Sequence, residues 1–502
     1  MESIPHLIFN FQNRGIALTL KDGALAYRAP KGTLTNQDKT TLSEHRDEII
    51  TYLSALETQL ETPVTFEEST EIEPSALQKL WWFWYGVPER QLEQERLPLI
   101  KPYRNTSKAR VEAAIRQLIS RHNILRASFY EDDGYLKITL NDAGSFPIEY
   151  QTYTPTGSEL ETEKELKELA KAFSEKQLPL NGQWLLRAKI VSLSKEDFLL
   201  LFVFNHIIVD AGSIVLIMSE LDTLISNALP QTLPPAIQFT DYVIWEKQWL
   251  NSADRQPLFN YWNQRLQNLS PLKAPVSKEI LSWQSGTKVD YKFIIKGYFL
   301  QQIRAYAVAH KTSLFNVFLT TFALALSRWS GISKFPIRCV GNLRTAPSVT
   351  PIIGYLVCSD LVEVDIPSDY DFESILKYNE IEYHSAIKLR IPTMLRVPLP
   401  SGTTGQGVED PRHIATGINM FIIRQSDAKQ TSETETYEWP PKVTRSSGEP
   451  WPILLPSIYF RLLDFGDSID VSLELNDEQL SAQEQQALLD TFFATTAEFL
   501  FQ

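Results

Sequence analysis

The sequence predicts a mixed α/β protein in which a small helix–hairpin–helix unit precedes a large α/β body. Three observations carry this. Asp22-Gly23 joins two short alternating apolar runs, Ile16 to Leu20 and Ala24 to Arg28, and Asp-Gly between such runs is a strong hairpin signal. Phe198 to Phe204 is an almost unbroken apolar run, the pattern of a strand buried on both faces. No segment recurs at a fixed period, so the body is not a solenoid.

In chain order, Ile4 to Gln12 is an amphipathic stretch ahead of the hairpin, and Thr35 caps a helix ending near Leu56. Its apolar positions Leu42, Ile49, Ile50 and Leu53 recur at helical spacing. These elements form a unit over residues 1–57. Residues 58–73 are rich in Glu and Thr, as suits a solvated linker. From Pro74 onward helices and strands mix. The proline-rich break from Leu229 to Pro235 divides the body into lobes at 74–232 and 233–502. Pro400 to Arg412 and Ser426 to Pro450, dense in Gly, Ser, Thr, Glu or Pro, read as long loops.

Composition narrows the function classes. The chain has 502 residues, 43% hydrophobic and 22% charged, with apolar mass for more than one core. A net charge of -13 lacks the basic balance that non-specific nucleic-acid binding needs. The N-terminus shows no basic stretch followed by an apolar one, and no segment approaches ~18 apolar residues. The expectation is a cytoplasmic protein. Cys339 and Cys358 have no metal-ligand spacing and read as buried, reduced thiols.

None of the 7 histidines shows paired zinc-helix spacing, so no metal site is expected. The Gly-x-Ser-x-Gly elbow, the phosphate-cradling loop and the dinucleotide fingerprint are missing too, and no bound cofactor is expected. His206 stands out by its setting. It follows the apolar strand at its polar end, and Asp210 four residues later precedes Ala211-Gly212-Ser213 and an apolar-rich helix, Ile214 to Leu224. Imidazole titrates near neutrality and can accept or orient the proton of an attacking amine. On these residues alone, a lone histidine at a strand end reads more simply as a hydrogen-bonded structural group.

Asn205-His206-Ile207-Ile208-Val209-Asp210-Ala211 resembles the signature of condensation domains of nonribosomal peptide synthetases: two histidines, three variable residues, Asp and Gly. Similar segments follow the family's order. They are Ser75 to Trp81, Arg121 to Phe129, Phe239 to Trp245, Gly341-Asn342-Leu343-Arg344 and Ile352 to Val357. The resemblance implies two chloramphenicol-acetyltransferase-like lobes in a V-shaped pseudo-dimer, with the histidine motif at their junction. It also implies an amide-forming enzyme: the α-amine of a carrier-bound acceptor attacks a carrier-bound donor thioester. The substrates arrive on phosphopantetheine arms of partner carrier proteins.

In this reading His206 is catalytic. Asp210 is a structural acid that either pairs with Arg126 or caps the following helix. Two residues depart from the signature. Asn205 replaces the first histidine and can orient but not titrate. Ala211 replaces the glycine, and Gly212 stands one position on as a compensation. The departures keep alternatives open: a catalytically altered platform that recruits carrier proteins or tailoring enzymes, or an epimerisation variant. The aromatic run Trp81 to Tyr85 reads as core, and Arg344 as a surface or channel-lining arginine.

Residues 1–57 resemble the N-terminal docking domain of the tubulysin-synthetase type, through Asn13 to Leu18, Ala29 to Thr35 and the final helix. That resemblance implies an upstream subunit whose C-terminal tail adds as a strand to the hairpin edge. Lys21, Arg28 and Lys31 suit an acidic tail.

Overall fold

The structure, a computed structural model, describes residues 4–14, 16–29, 33–57, 72–85, 96–155, 157–226, 233–252, 256–267, 272, 286–344, 347–390, 415–422, 438–451 and 456–501. It falls into two compact units, one of residues 61–252 with 342–357, the other of 1–60 with 253–341 and 358–502. Among the described residues no helix is long and apolar enough to cross a membrane. The expected linker at 58–73, the loop Pro400 to Arg412 and Lys31 lie wholly or mostly outside the described residues.

The chain begins with α1 (Ile4–Asn13), β1 (Ala17–Lys21), β2 (Ala24–Arg28), α2 (Asn36–Glu44) and α3 (Arg46–Glu57). The hairpin pairs Lys21 with Ala24 across Asp22 (φ 52) and Gly23 (φ 75). Successive positive φ values are what a tight turn between right-twisted strands requires. Thr35 caps α2 through a reciprocal box with Asp38. Arg14 clasps the same carboxylate, Nη1 to Oδ1 at 2.8 Å and Nη2 to Oδ2 at 2.6 Å, and holds Asp38 well below the usual range. The single helix expected after Thr35 is two, broken at His45, whose backbone closes α2 on the Thr41 carbonyl.

This N-terminal segment shares its compact unit with residues 253–341 and 358–502, because α1 and α3 carry apolar side chains on a second face. Tyr52 and Ala55 are buried; the Tyr52 ring meets Tyr261 at 5.5 Å, and its hydroxyl lies 3.0 Å from Ser385 Oγ.

The other unit runs through α4 (Ala76–Tyr85), β3 (Arg96–Tyr103), α5 (Lys108–Arg121), β4 (Ala127–Asp132), β5 (Tyr135–Leu140), β6 (Ile148–Thr152), α6 (Glu159–Ser174), β7 (Leu186–Ser192), β8 (Phe198–Asn205), α7 (Ala211–Ser226) and α8 (Phe239–Asn251). Four strands form a sheet in the order β3-β8-β7-β6, with β8 antiparallel to both neighbours. Every residue of β8 is buried, because both sheet faces are covered. Leu199, Leu201 and Val203 share a core cluster with Ala170 and Phe173 of α6, and alternation turns Leu200, Phe202 and Phe204 to the opposite face.

The boundary between units lies after α8, at 252/253, and not in the proline-rich break near 233. The reason is packing. Gln238, just before α8, accepts from Asn123 N at 2.9 Å and donates to the Arg121 carbonyl at 3.0 Å, and α8 buries Phe239, Tyr242 and Val243.

The unit that holds the N-terminal segment continues through α9 (Gln256–Gln267), β9 (Thr287–Lys296), α10 (Gly297–Ala309), α11 (Leu314–Ser330), β10 (Lys334–Asn342), β11 (Val357–Asp365), α12 (Phe372–Lys388), β12 (Thr416–Ile422), β13 (Thr444–Pro450), β14 (Ile458–Asp464), β15 (Ser468–Asn476) and α13 (Ala482–Leu500). Its sheet has the order β11-β10-β12-β14-β15-β9-β13. One face packs on α10, α11 and α13 in a large apolar core that includes Phe293, Phe318, Phe322, Phe460 and Phe492. The expected loop Ser426 to Pro450 ends in a strand instead, since β13 pairs with β9 along the sheet edge, with a register shift at Gly448 (φ 108). An edge strand draws its order from its neighbour's backbone and needs no apolar alternation of its own.

Candidate active site

The end of β8, the turn after it and the first residues of α7 form the site. Asn205, fully buried, spends one end of its amide on the turn and the other on the chain ahead of β7. Nδ2 donates to the Leu178 carbonyl at 2.9 Å, and Oδ1 accepts from Ile207 N at 3.1 Å. Its role is to hold the backbone that aims its neighbour.

His206 Nδ1 lies 2.7 Å from the Val209 carbonyl oxygen. A carbonyl can only accept, so in the neutral ring the proton sits on Nδ1 and the lone pair on Nε2. Two aromatic rings fix the imidazole plane. Trp81 of α4 stands 5.4 Å away, centroid to centroid, and Tyr355 stands 5.1 Å away and nearly perpendicular; the two rings are 5.4 Å from each other. Trp81 is buried core, as expected, and it also walls the imidazole.

Asp210 does two jobs with one carboxylate. Oδ1 accepts from Ser213 N at 2.7 Å and from Ser213 Oγ at 2.8 Å, which caps α7. Oδ2 accepts from Arg344 Nη1 at 2.7 Å and from Leu356 N at 2.9 Å. The expected Asp210–Arg126 pair does not form. Arg126 instead donates to Asn123 Oδ1 at 2.7 Å and to the Asn141 carbonyl at 3.2 Å, which ties the turn before β4 to the end of β5.

Arg344, its side chain 6% exposed, is therefore not a surface residue. Its guanidinium also reaches Ser213 Oγ at 2.9 Å, the Ile352 carbonyl at 2.9 Å and the Gly354 carbonyl at 3.2 Å. It stitches the 342–357 segment, which carries Tyr355, to the start of α7. Gly212 leaves room for it: a Cβ there would stand 2.9 Å from Nη1. Glycine at 212 thus leaves the arginine its space, while Ala211 begins the helix.

Behind the turn lies α4. Gln78 Nε2 donates to the Ile207 carbonyl at 3.0 Å, and its Oε1 accepts from Ser75 N at 2.9 Å. Glu246 of α8, 2% exposed, accepts from Ala76 N at 2.9 Å, and burial pushes its carboxyl up to about 7. Sequence reasoning missed Glu246, Gln78 and Tyr355 as parts of the site. Only the position of the last two inside the ordered motifs hinted at them.

On the hairpin, Lys21 and Arg28 are exposed at the two ends of the paired strands.

Comparison with known proteins gives two family matches. The condensation-domain model matches residues 97–387, and the TubC N-terminal docking domain model matches residues 4–54. Tyrocidine synthase 2 of Brevibacillus parabrevis is 30% identical over 253 residues, which is 50% of this chain and 7% of that protein. Phosphinothricin tripeptide synthetase of Streptomyces viridochromogenes is 26% identical over 53% of this chain and 25% of its own length. The chain thus spans only a small part of these relatives.

Among solved structures, the domain responsible for condensation-mediated chain release from the enacyloxin polyketide synthase is 48% identical, with a TM-score of 0.93 over 100% of this chain and 97% of that one. The cyclization-docking bidomain of EpoB from Sorangium cellulosum is 17% identical with a TM-score of 0.61, covering 98% of each chain, a likeness of fold. The mixed α/β architecture is that of condensation domains behind a small docking segment.

Proposed function

The chain belongs to the condensation-domain family, and from that premise we propose that it forms an amide bond between a carrier-bound acyl or peptidyl thioester and the amine of a carrier-bound aminoacyl acceptor. The observation that carries this is the Nδ1–Val209 hydrogen bond of His206, which puts a lone pair on Nε2. The amine nitrogen attacks the thioester carbonyl, Nε2 takes the amine's proton, and the carbon–sulfur bond breaks to release the carrier thiolate, which receives that proton from the imidazolium and restores the neutral ring. The thioester is already activated, so positioning and one proton transfer suffice without a covalent enzyme intermediate. The reactive arms are phosphopantetheine on the partner carrier proteins, and the chain itself holds no cofactor.

A second reading is favoured by one comparison, the 48% identity to a chain-release condensation domain. In that reading the donor is still carrier-bound, but the acceptor is a free nucleophile and its acylation releases the chain. Offering one loaded donor carrier with the acceptor either on a carrier or free in solution, and following product by intact mass, separates the two. In either case His206→Ala abolishes product; equal product from both proteins overturns the catalytic role. Product from neither, with carrier binding intact, is the result expected of a recruiting platform.

The hairpin receives the C-terminal tail of an upstream subunit as an added strand, with Lys21 and Arg28 selecting an acidic sequence. Calorimetry of an acidic tail peptide with the whole chain tests this. Replacing Lys21 and Arg28 with Glu weakens binding, and unchanged affinity refutes the charge selection.

A further inference from the structure

We propose that Glu246 is a positioning residue for His206, holding α4 so that Gln78 and Trp81 bear on the catalytic turn from behind. The proposal rests on the reading of His206 as the proton acceptor. Glu246 touches no reacting atom and acts through the helix it anchors.

The geometry forms one connected line. Glu246 accepts from the backbone of Ala76, the first residue of α4, at 2.9 Å. Two residues along, Gln78 donates to the Ile207 carbonyl inside the His206–Asp210 turn at 3.0 Å. One turn after Gln78's neighbour Leu77, Trp81 sets its ring 5.4 Å from the imidazole. A displacement of the start of α4 therefore moves a backbone contact of the turn and one wall of the imidazole together.

The carboxylate is in an unusual place for a group with only this task. It is completely buried, its charged form is costly there, and an uncharged amide would accept from Ala76 N equally well. The charge complements the N-terminal end of the α4 dipole, and protonation removes that complement. The titratable and charged groups facing it are Tyr242, whose hydroxyl lies 3.5 Å away and donates to it, and Lys79, whose charge favours the ionised form. The next residue of α8, Lys247, is exposed and pairs with Glu73 instead. Burial places the ionisation of Glu246 near neutrality, so the support behind the His206 turn changes with its charge.

The test reads His206 directly and needs no substrate. The ring Cε1–H resonance of His206, assigned by its loss in His206→Gln, is followed across the neutral range by NMR on the full chain. In wild type the resonance is expected to report a step near pH 7 from Glu246. In Glu246→Gln that step is absent. Lys79→Met keeps it and moves it to higher pH, because the lysine charge that favours ionisation is gone. Should Glu246→Gln fail to fold, Lys79→Met carries the test alone. Superimposable His206 curves in wild type and the folded variants overturn the proposal. A titration that behaves as expected in a protein that makes no product would instead overturn the proposed reaction.

Discussion

Arg344 and Asp210 form a buried ion pair, Nη1 to Oδ2 at 2.7 Å, with side chains 6% and 2% exposed. The pair lies 134 residues apart in sequence and fixes the segment bearing Tyr355 to the turn bearing His206. Removing one member leaves the other charged and buried. Arg344→Ala should lower stability by about 3–5 kcal/mol, read from the denaturant midpoint, and Asp210→Ala/Arg344→Ala should cost less than the two singles added.

Asn205→Ala should be costlier than a surface change of the same size. It strands the Leu178 carbonyl and Ile207 N–H in a buried site, for about 1–3 kcal/mol each in the absence of a replacement partner. The comparison that matters is Asn205→His, the residue of the family signature. An imidazole also accepts at one nitrogen and donates at the other, so Asn205→His is expected to recover most of the thermal stability that Ala loses and leave product formation within a few-fold of wild type.

Gly354 abuts Phe239 so closely that a Cβ would stand 2.0 Å from the ring. Gly354→Ala forces the Tyr355 segment or α8 to shift, and the expected loss is about 1–3 kcal/mol or more. Phe239→Leu in the same chain should return part of it. Thermal melts of the two singles and the double decide, and additive losses would place the strain elsewhere.

Glu246 gives stability a defined pH dependence. Its folded carboxyl is raised from 4.5 to about 7, so between those values the folded protein binds a proton that the unfolded chain releases. The contribution is complete below 4.5 and is lost as pH rises through about 7. Glu246→Gln removes it. The variant should exceed wild type in stability at about pH 8, by up to roughly 3 kcal/mol, with the gap closing towards about pH 5. Paired denaturant titrations at the two pH values measure it.

Local chemistry made part of this protein legible from its residues. The Asp22-Gly23 hairpin, the Thr35 cap and the buried strand ending at Asn205 follow from turn geometry, a side-chain oxygen and an apolar run, all written within a few residues. What escaped depends on partners far along the chain. Nothing near Asp210 announces Arg344 rather than Arg126, nothing in Tyr242 to Trp249 marks Glu246 as the anchor of a helix 170 residues earlier, and β13 takes its order from β9. The break in the helix after Thr35 lies between: its apolar spacing continued across His45 while the backbone did not.

The burial of Tyr52 beside Tyr261 and Ser385 bears on how such chains can be recombined. A graft that moves residues 1–57 onto another subunit carries half of an apolar seam with it and leaves the other half, on α9 and α12, exposed to water. Productive chimeras would therefore cross over where the seam's two sides travel together, or replace Tyr52 and Ala55 with polar residues in the donor piece and cover the bared helices in the recipient.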